Sequence, residues 1–130
     1  MTIEFEVALE NQPGSLARLA TVLGDADVNI QAIQGRSGKT ESVVHFITDN
    51  PDHAAHILDE AHMPFSRRDV VVVNVLDQPG MLRDVALVMS EAGINIESVY
   101  VTTRGHVVLA VDDLQGAVQV AGGMAVMDRT

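Results

Sequence analysis

The chain has no cysteine and no tryptophan among its 130 residues. The absence of cysteine excludes a disulfide framework, a thiolate nucleophile and any cysteine-based metal centre. Aromatic residues make up only 3% of the sequence. A core must therefore be built from aliphatic side chains, and no set of rings is available for stacking nucleobases. Lysine is almost missing too: of eight basic residues only Lys39 is a lysine, against 18 acidic residues, for a formal net charge of -10. Such a charge repels a phosphate backbone and an anionic lipid surface, which argues against nucleic acid and membranes as partners. An acid-rich, lysine-poor surface suits a protein dissolved in concentrated salt; an acidic proteome from a high-GC genome yields the same composition. The aliphatic run Val70 to Val73 is far shorter than the roughly 20 residues that span a bilayer. The start, Met1-Thr2-Ile3-Glu4-Phe5-Glu6, has neither a basic flank nor an apolar stretch for export. The expected location is the cytoplasm.

What is present is repeated. Asn11-Gln12-Pro13-Gly14 recurs as Asp77-Gln78-Pro79-Gly80. At the same spacing Leu16 matches Leu82, Ala20 matches Ala86, Val22 matches Val88, Ala26 matches Ala92, and Asn29-Ile30 matches Asn95-Ile96. So many identities at one spacing mark an internal duplication. After a shorter second hairpin, Asp49 falls on Asp112.

Each copy has the same order of patterns. Ile3 to Glu10 alternates apolar and charged residues, as a half-buried strand does, and Val71 to Leu76 is its counterpart. Pro-Gly ends each strand. Leu16, Leu19, Ala20 and Leu23 then recur at helical spacing, as do Leu82, Val85, Ala86 and Met89. Second strands are expected over Val28 to Gln34 and Ile94 to Thr102, turns at Gly35 to Lys39 and Arg104-Gly105, and third strands over Ser42 to Thr48 and His106 to Val111. Ala54, Ile57, Leu58 and Ala61, with Ala117, Val118, Val120 and Ala121, mark second helices. Short last strands are expected over Phe65 to Arg68 and about Met124 to Met127. Strand, helix, strand, strand, helix, strand, twice, is an α+β chain of two ferredoxin-like βαββαβ repeats with antiparallel sheets and helices on one face. The repeats are placed at residues 1–69 and 70–130. Arg67-Arg68-Asp69 leads straight into Val70 with no linker, so a rigid junction is expected.

These residues resemble the ACT domain family. The likeness rests on the Pro-Gly turn after the first strand, the amphipathic helix behind it, and the Asn-Ile pair opening the second strand. It runs from Glu10-Asn11-Gln12-Pro13-Gly14-Ser15-Leu16 to Ala26-Asp27-Val28-Asn29-Ile30, and again from Leu76-Asp77-Gln78-Pro79-Gly80-Met81-Leu82 to Ala92-Gly93-Ile94-Asn95-Ile96. The chain is most similar to short stand-alone tandem-ACT proteins that bind amino acids and carry no catalytic domain. The resemblance implies a regulatory module that holds a small effector, an amino acid, between a Pro-Gly loop and a neighbouring unit. It also implies a homo-oligomer, at least a dimer, and an enzyme partner yet to be identified. Two departures stand out. Asp27 replaces the usual glycine before the second strand of the first copy, and the last helix of the second copy is short and ends in Gly122-Gly123.

The candidate ligand site is therefore Asn11, Gln12, Pro13, Gly14, Ser15, Leu16, Asn29 and Ile30 in the first copy. In the second it is Asp77, Gln78, Pro79, Gly80, Met81, Leu82, Asn95 and Ile96. Glycine lets a ligand approach the backbone, and the unpaired N–H groups of a helix start favour a carboxylate. Asn29 and Asn95 offer amides that both donate and accept, while Asp77 could pair with an ammonium. Leu16, Leu82, Ile30 and Ile96 would favour a small or branched apolar ligand side chain. The same loops also serve as plain strand-to-helix turns, and the asparagines as turn stabilisers.

No catalytic group, metal site or cofactor is expected. Gly38-Lys39-Thr40 lacks the earlier glycine of a phosphate loop, since Ile33 stands there, and it lies between strands. His53 and His56 have metal-ligand spacing but fit a solvated helix face, and His45 and His106 fit partners of surface carboxylates. Ser15 lacks the Gly-x-Ser-x-Gly setting of a nucleophile. The expected function is non-catalytic ligand sensing; the rival is a structural or protein-interaction module that keeps the fold without a site.

Overall fold

The structure, a computed structural model, describes residues 2–126. It divides into two compact units, an N-terminal one over Ile3–Arg68 and a C-terminal one that begins at Asp69. The elements of the N-terminal unit are β1 (Thr2–Glu10), α1 (Ser15–Asp25), β2 (Ile30–Ser37), β3 (Glu41–Thr48), α2 (Pro51–Glu60) and the leading part of β4 (Ser66–Val73). The C-terminal unit repeats the order with the rest of β4, then α3 (Met81–Glu91), β5 (Ile96–Val101), β6 (Val107–Val111), α4 (Leu114–Ala121) and β7 (Ala125–Val126). Both are ferredoxin-like βαββαβ units with antiparallel sheets.

In the N-terminal unit β3 lies between β2 and β1, pairing Ile33 with Phe46 and Phe46 with Phe5. The alternation of β1 turns Phe5, Val7 and Leu9 toward the helices, where they join Val44 and Phe46 of β3, Leu19 and Leu23 of α1, and Ala54 and Leu58 of α2 in one buried cluster. Phe5 and Phe46 stack with centroids 5.4 Å apart, so the few aromatic residues sit where they fill the most volume. In the C-terminal unit β6 pairs with β5 and β4, and β4 pairs with β7. Its cluster is wholly aliphatic and sulfur-containing: Val71, Val73, Val85, Met89, Val107, Leu109 and Val111 with Ala117 and Ala121.

The four described helices start in two ways. Asn50 caps α2 by accepting from the His53 N–H at 3.2 Å, and Asp113 caps α4 by accepting from the Gly116 N–H at 3.0 Å. The helices α1 and α3 have no side-chain cap; each is entered through a left-handed glycine, Gly14 at φ 93 and Gly80 at φ 90. The first helices of the two copies end alike. Asp27 (φ 59) and Gly93 (φ 74) take the left-handed position. Val28 and Ile94 then donate back to the carbonyls of Leu23 and Met89 at 3.0 and 2.9 Å, closing a Schellman turn over an apolar contact.

Some boundaries differ from the pattern-based expectation. The strands expected from Val28 and Ile94 begin at Ile30 and Ile96, because the preceding main chain is committed to helix closure. The turn expected at Gly35 to Lys39 is shorter, since Gly35, Arg36 and Ser37 pair with Val44, Val43 and Ser42. The strands expected at Phe65 to Arg68 and Val71 to Leu76 are one continuous strand, Ser66–Val73. Of the last strand expected, Ala125–Val126 is observed, and Met127 lies outside the described residues.

Candidate functional site: the Pro-Gly loops

Both loops are built identically. Gln12 N–H donates to the Glu10 carbonyl at 2.9 Å, and Gln78 N–H to that of Leu76 at 2.9 Å. Ser15 and Met81 reach the carbonyls of Gln12 and Gln78 only at 3.4 Å, and the first good helical bonds come from Arg18 to Gly14 (2.9 Å) and Asp84 to Gly80 (3.0 Å). The N–H groups at the head of α1 and α3 are thus weakly satisfied from within the chain, as an anion-receiving helix start requires. A side chain at Gly14 would meet nothing within 4 Å, so the constraint there is conformational and the backbone is open to approach.

Each loop borders a cleft against its own hairpin. In the N-terminal unit a cleft of about 290 Å³ lies between Asn11, Gln12, Ser15 and Leu16 on one side and Gly35, Ser37 and Ser42 on the other. Its twin, about 310 Å³, lies between Asp77, Gln78, Met81 and Leu82 and the pair Val101 and Gly105. The chemistry differs. The first sets its amides and hydroxyls beside Glu10, Arg36 and an apolar part from Leu9, Leu16 and Val44. The second is rimmed by Leu76, Leu82 and Val101, exposed by 64%, 53% and 59%. Asn11 is also committed: its Nδ2 donates to the Gly38 carbonyl at 2.9 Å, and its Oδ1 accepts from Ser37 Oγ at 3.4 Å. Among the described residues Asp77 makes no such latch; its carboxylate can accept but cannot donate.

A further cavity of about 510 Å³ lies on the other side of the first loop, reaching Arg18 and the connection His62 to Pro64. Arg18, Met63 and Pro64 were not among the residues singled out by sequence, and His62 only as a histidine beyond the His53–His56 pair. The signal available was the charge at one repeat position, where Arg18 corresponds to Asp84.

The asparagines lie elsewhere. Asn29 and Asn95, with Ile30 and Ile96, stand at the far ends of α1 and α3, and none of them lines the loop clefts of its unit. Helix α1 is eleven residues long from Ser15 to Asp25, about 16 Å at the rise of an α-helix. One small ligand cannot touch Gly14 and Asn29 of the same unit. The main-chain N–H of Asn29 donates to Asp49 Oδ1 and that of Asn95 to Asp112 Oδ1, both at 3.0 Å.

The remaining sequence candidates are separately engaged. His53 Nε2 faces the Ala26 carbonyl at 3.1 Å, His56 pairs with Glu60 at 3.5 Å, and His45 pairs with Glu6 at 3.2 Å. Lys39 and its neighbours form the β2–β3 turn. No helix among the described residues is long and apolar enough to cross a membrane.

Two ferredoxin-like units in tandem, each with a Pro-Gly turn into its first helix, define a paired regulatory-domain architecture. The chain matches the family model described as an ACT domain pair over residues 1–121 and belongs to that family. No curated protein matches it in sequence. Among solved structures, a protein from Bacteroides thetaiotaomicron is 24% identical and aligns 92% of this chain with 85% of its own at a TM-score of 0.85. The ligand-free regulatory subunit of aspartate kinase from Thermus thermophilus is 16% identical, over 92% of this chain and 89% of that one, at a TM-score of 0.68. The corresponding subunit from Thermus flavus is 13% identical, over 93% and 95%, at 0.60. At these identities the likeness is one of fold.

Proposed function

We propose that this ACT domain pair is a non-catalytic regulatory protein that binds a free amino acid at a Pro-Gly loop. The observation that carries the reading is the contrast among helix starts. The helices α2 and α4 are capped by their own side chains, while α1 and α3 are left uncapped behind a glycine that admits a ligand to the backbone. The carboxylate would sit at Ser15-Leu16 or Met81-Leu82, and loop carbonyls or Asp77 would receive the ammonium. Binding would favour one packing of the protein, which an enzyme partner reads. The regulatory subunits of aspartate kinase with the same fold lend support to that role.

The reading includes self-association. Among the described residues β2 pairs with β3 alone and β5 with β6 alone, and such edges call for cover. A second chain would also be the means by which Asn29 or Asn95 meets a ligand held at a loop. Static light scattering should give twice the 13.9 kDa chain mass; a single-chain mass at micromolar concentration removes this part of the proposal.

The test of function is calorimetric titration of the intact chain with each of the twenty free L-amino acids. Regulatory affinities fall between about 1 μM and 1 mM. Heat from one or a few of them, abolished by Gly14→Val or Gly80→Val, is the expected result. If no amino acid gives heat, a protein-interaction module that keeps the fold without the site becomes the better account; the exposed Leu76, Leu82 and Val101 favour that second reading.

A further inference from the structure

The two copies differ in charge at the head of the first helix, where Ala17 matches Arg83 and Arg18 matches Asp84. Arg18 lies four residues after Gly14, and its twin four residues after Gly80 is Asp84. Arg18 lines the cavity of about 510 Å³ in the N-terminal unit. Its Nη2 donates to the Ala61 carbonyl at 3.3 Å, a neutral acceptor, and among the described residues it forms no ion pair. Arg18 is exposed at this cavity wall, where its guanidinium is available to an anionic group from outside, because Arg receives carboxylates through a fixed fork of donors.

The opposite wall suits the rest of an amino acid. The connection through Pro64 delays β4 until Ser66, while β1 runs on to Glu10. The main chain from Val7 to Glu10 therefore borders the cavity. Main-chain carbonyls of this stretch offer acceptors for an ammonium. Val7, Leu9 and Met63 supply an apolar floor.

The C-terminal copy lacks this arrangement. Arg83 there donates to Asp84 from Nε at 3.2 Å and from Nη2 at 3.1 Å, so its charge is already met. Its guanidinium also lies over the loop: a Cβ placed on Gly80 would come within 2.9 Å of Arg83 Nη2.

We propose that the cavity beside Arg18 is the carboxylate-reading site of the protein. The two repeats have diverged, so that one chain binds one amino acid, in the N-terminal unit, with Arg18 on its carboxylate. This rests on the amino-acid-binding reading above and adds to it which copy binds and which residue reads the ligand.

The intact, ¹⁵N-labelled chain is titrated with each of the twenty free L-amino acids, and the tightest binder is then tested as its C-terminal amide. Amide signals of Gly14 to Arg18, His62 and Met63 are expected to shift while those of Gly80 to Asp84 stay in place. The amidated form should bind at least about tenfold more weakly, since it lacks the charge Arg18 receives. Arg18→Gln should lose at least about tenfold, Arg18→Lys should lose less, and Arg83→Gln should bind as the parent does. An unchanged affinity for Arg18→Gln, an amide that binds as well as the acid, or equal shifts at Gly80 to Asp84 overturns the assignment and leaves amino-acid binding standing. Absence of any shift with all twenty overturns both. The location of the shifts in the parent decides the matter even if a variant folds poorly.

Discussion

Asp49 and Asn29 are joined twice: Asp49 Oδ1 accepts from the Asn29 N–H at 3.0 Å, and the Asn29 carbonyl accepts from the Asp49 N–H at 3.1 Å. Asp112 and Asn95 repeat the pair at 3.0 and 3.2 Å. Each clamp fixes the point where the chain leaves the first helix and enters the second strand. Asp49→Ala and Asp112→Ala should each cost about 1 kcal/mol, the usual net worth of one such bond, read as a drop of a few degrees in Tm by calorimetry. Asp49→Asn, which keeps an acceptor, should recover most of the loss. A Tm unchanged in both alanine variants would show that the clamps add nothing.

That relationship also shows what a sequence makes legible. The match of Asp49 to Asp112 is visible as a repeat identity, and so are the loops, the helix faces and the order of elements, because each depends on local spacing. The starts of β2 and β5 were not, because Val28 and Asn29 read as extended residues while their N–H groups are taken by Leu23 and Asp49. Fusion of two expected strands into Ser66–Val73 follows from continuous pairing, which alternation alone does not reveal. The candidate loops are marked in the sequence by their glycines. Asn29 and Asn95 read from sequence as partners of the loops, but within one unit each stands at the far end of the helix from its loop. Arg18 was passed over because a lone arginine on a helix face carries no signal until the cavity next to it is seen.

Asp27 occupies the left-handed position that Gly93 holds in the other copy, at φ 59 against φ 74. An L-residue there costs about 1–2 kcal/mol, less for Asp than for most. Asp27→Gly should therefore raise stability by up to about 1 kcal/mol, and Gly93→Asp should lower it by a similar amount. Urea unfolding of the two variants gives both numbers. A loss on Asp27→Gly would mean that the carboxylate of Asp27 contributes more than the backbone strain it carries.

Charge sets the response to salt. A net charge of -10 on 130 residues implies self-repulsion at the surface, screened over about 8–10 Å near physiological ionic strength. Tm should rise from dilute buffer to about 0.2 M salt. A protein suited to concentrated brine should go on gaining up to molar salt, whereas an ordinary acidic protein should level off. A Tm that falls with added salt would show that attractive ion pairs outweigh the repulsion.

Gly14 and Gly80 separate conformational strain from ligand access. Both sit near φ 90, where an added Cβ is strained by about 1–2 kcal/mol whatever surrounds it. At Gly14 nothing lies within 4 Å of that Cβ, whereas at Gly80 it would meet only the flexible end of Arg83. Gly14→Ala and Gly80→Ala should thus lose similar stability, a few degrees in Tm each. Their effects on binding should differ. A methyl at Gly14 projects into space that a ligand beside Arg18 would use, so affinity for the bound amino acid should fall at least about tenfold. A methyl at Gly80 displaces a guanidinium already paired with Asp84, and affinity should stay within about twofold of the parent. The measurement is one titration per variant at a temperature where both remain folded. Equal loss of affinity at the two glycines would mean that both loops bind, and loss at Gly80 alone would move the site to the second copy.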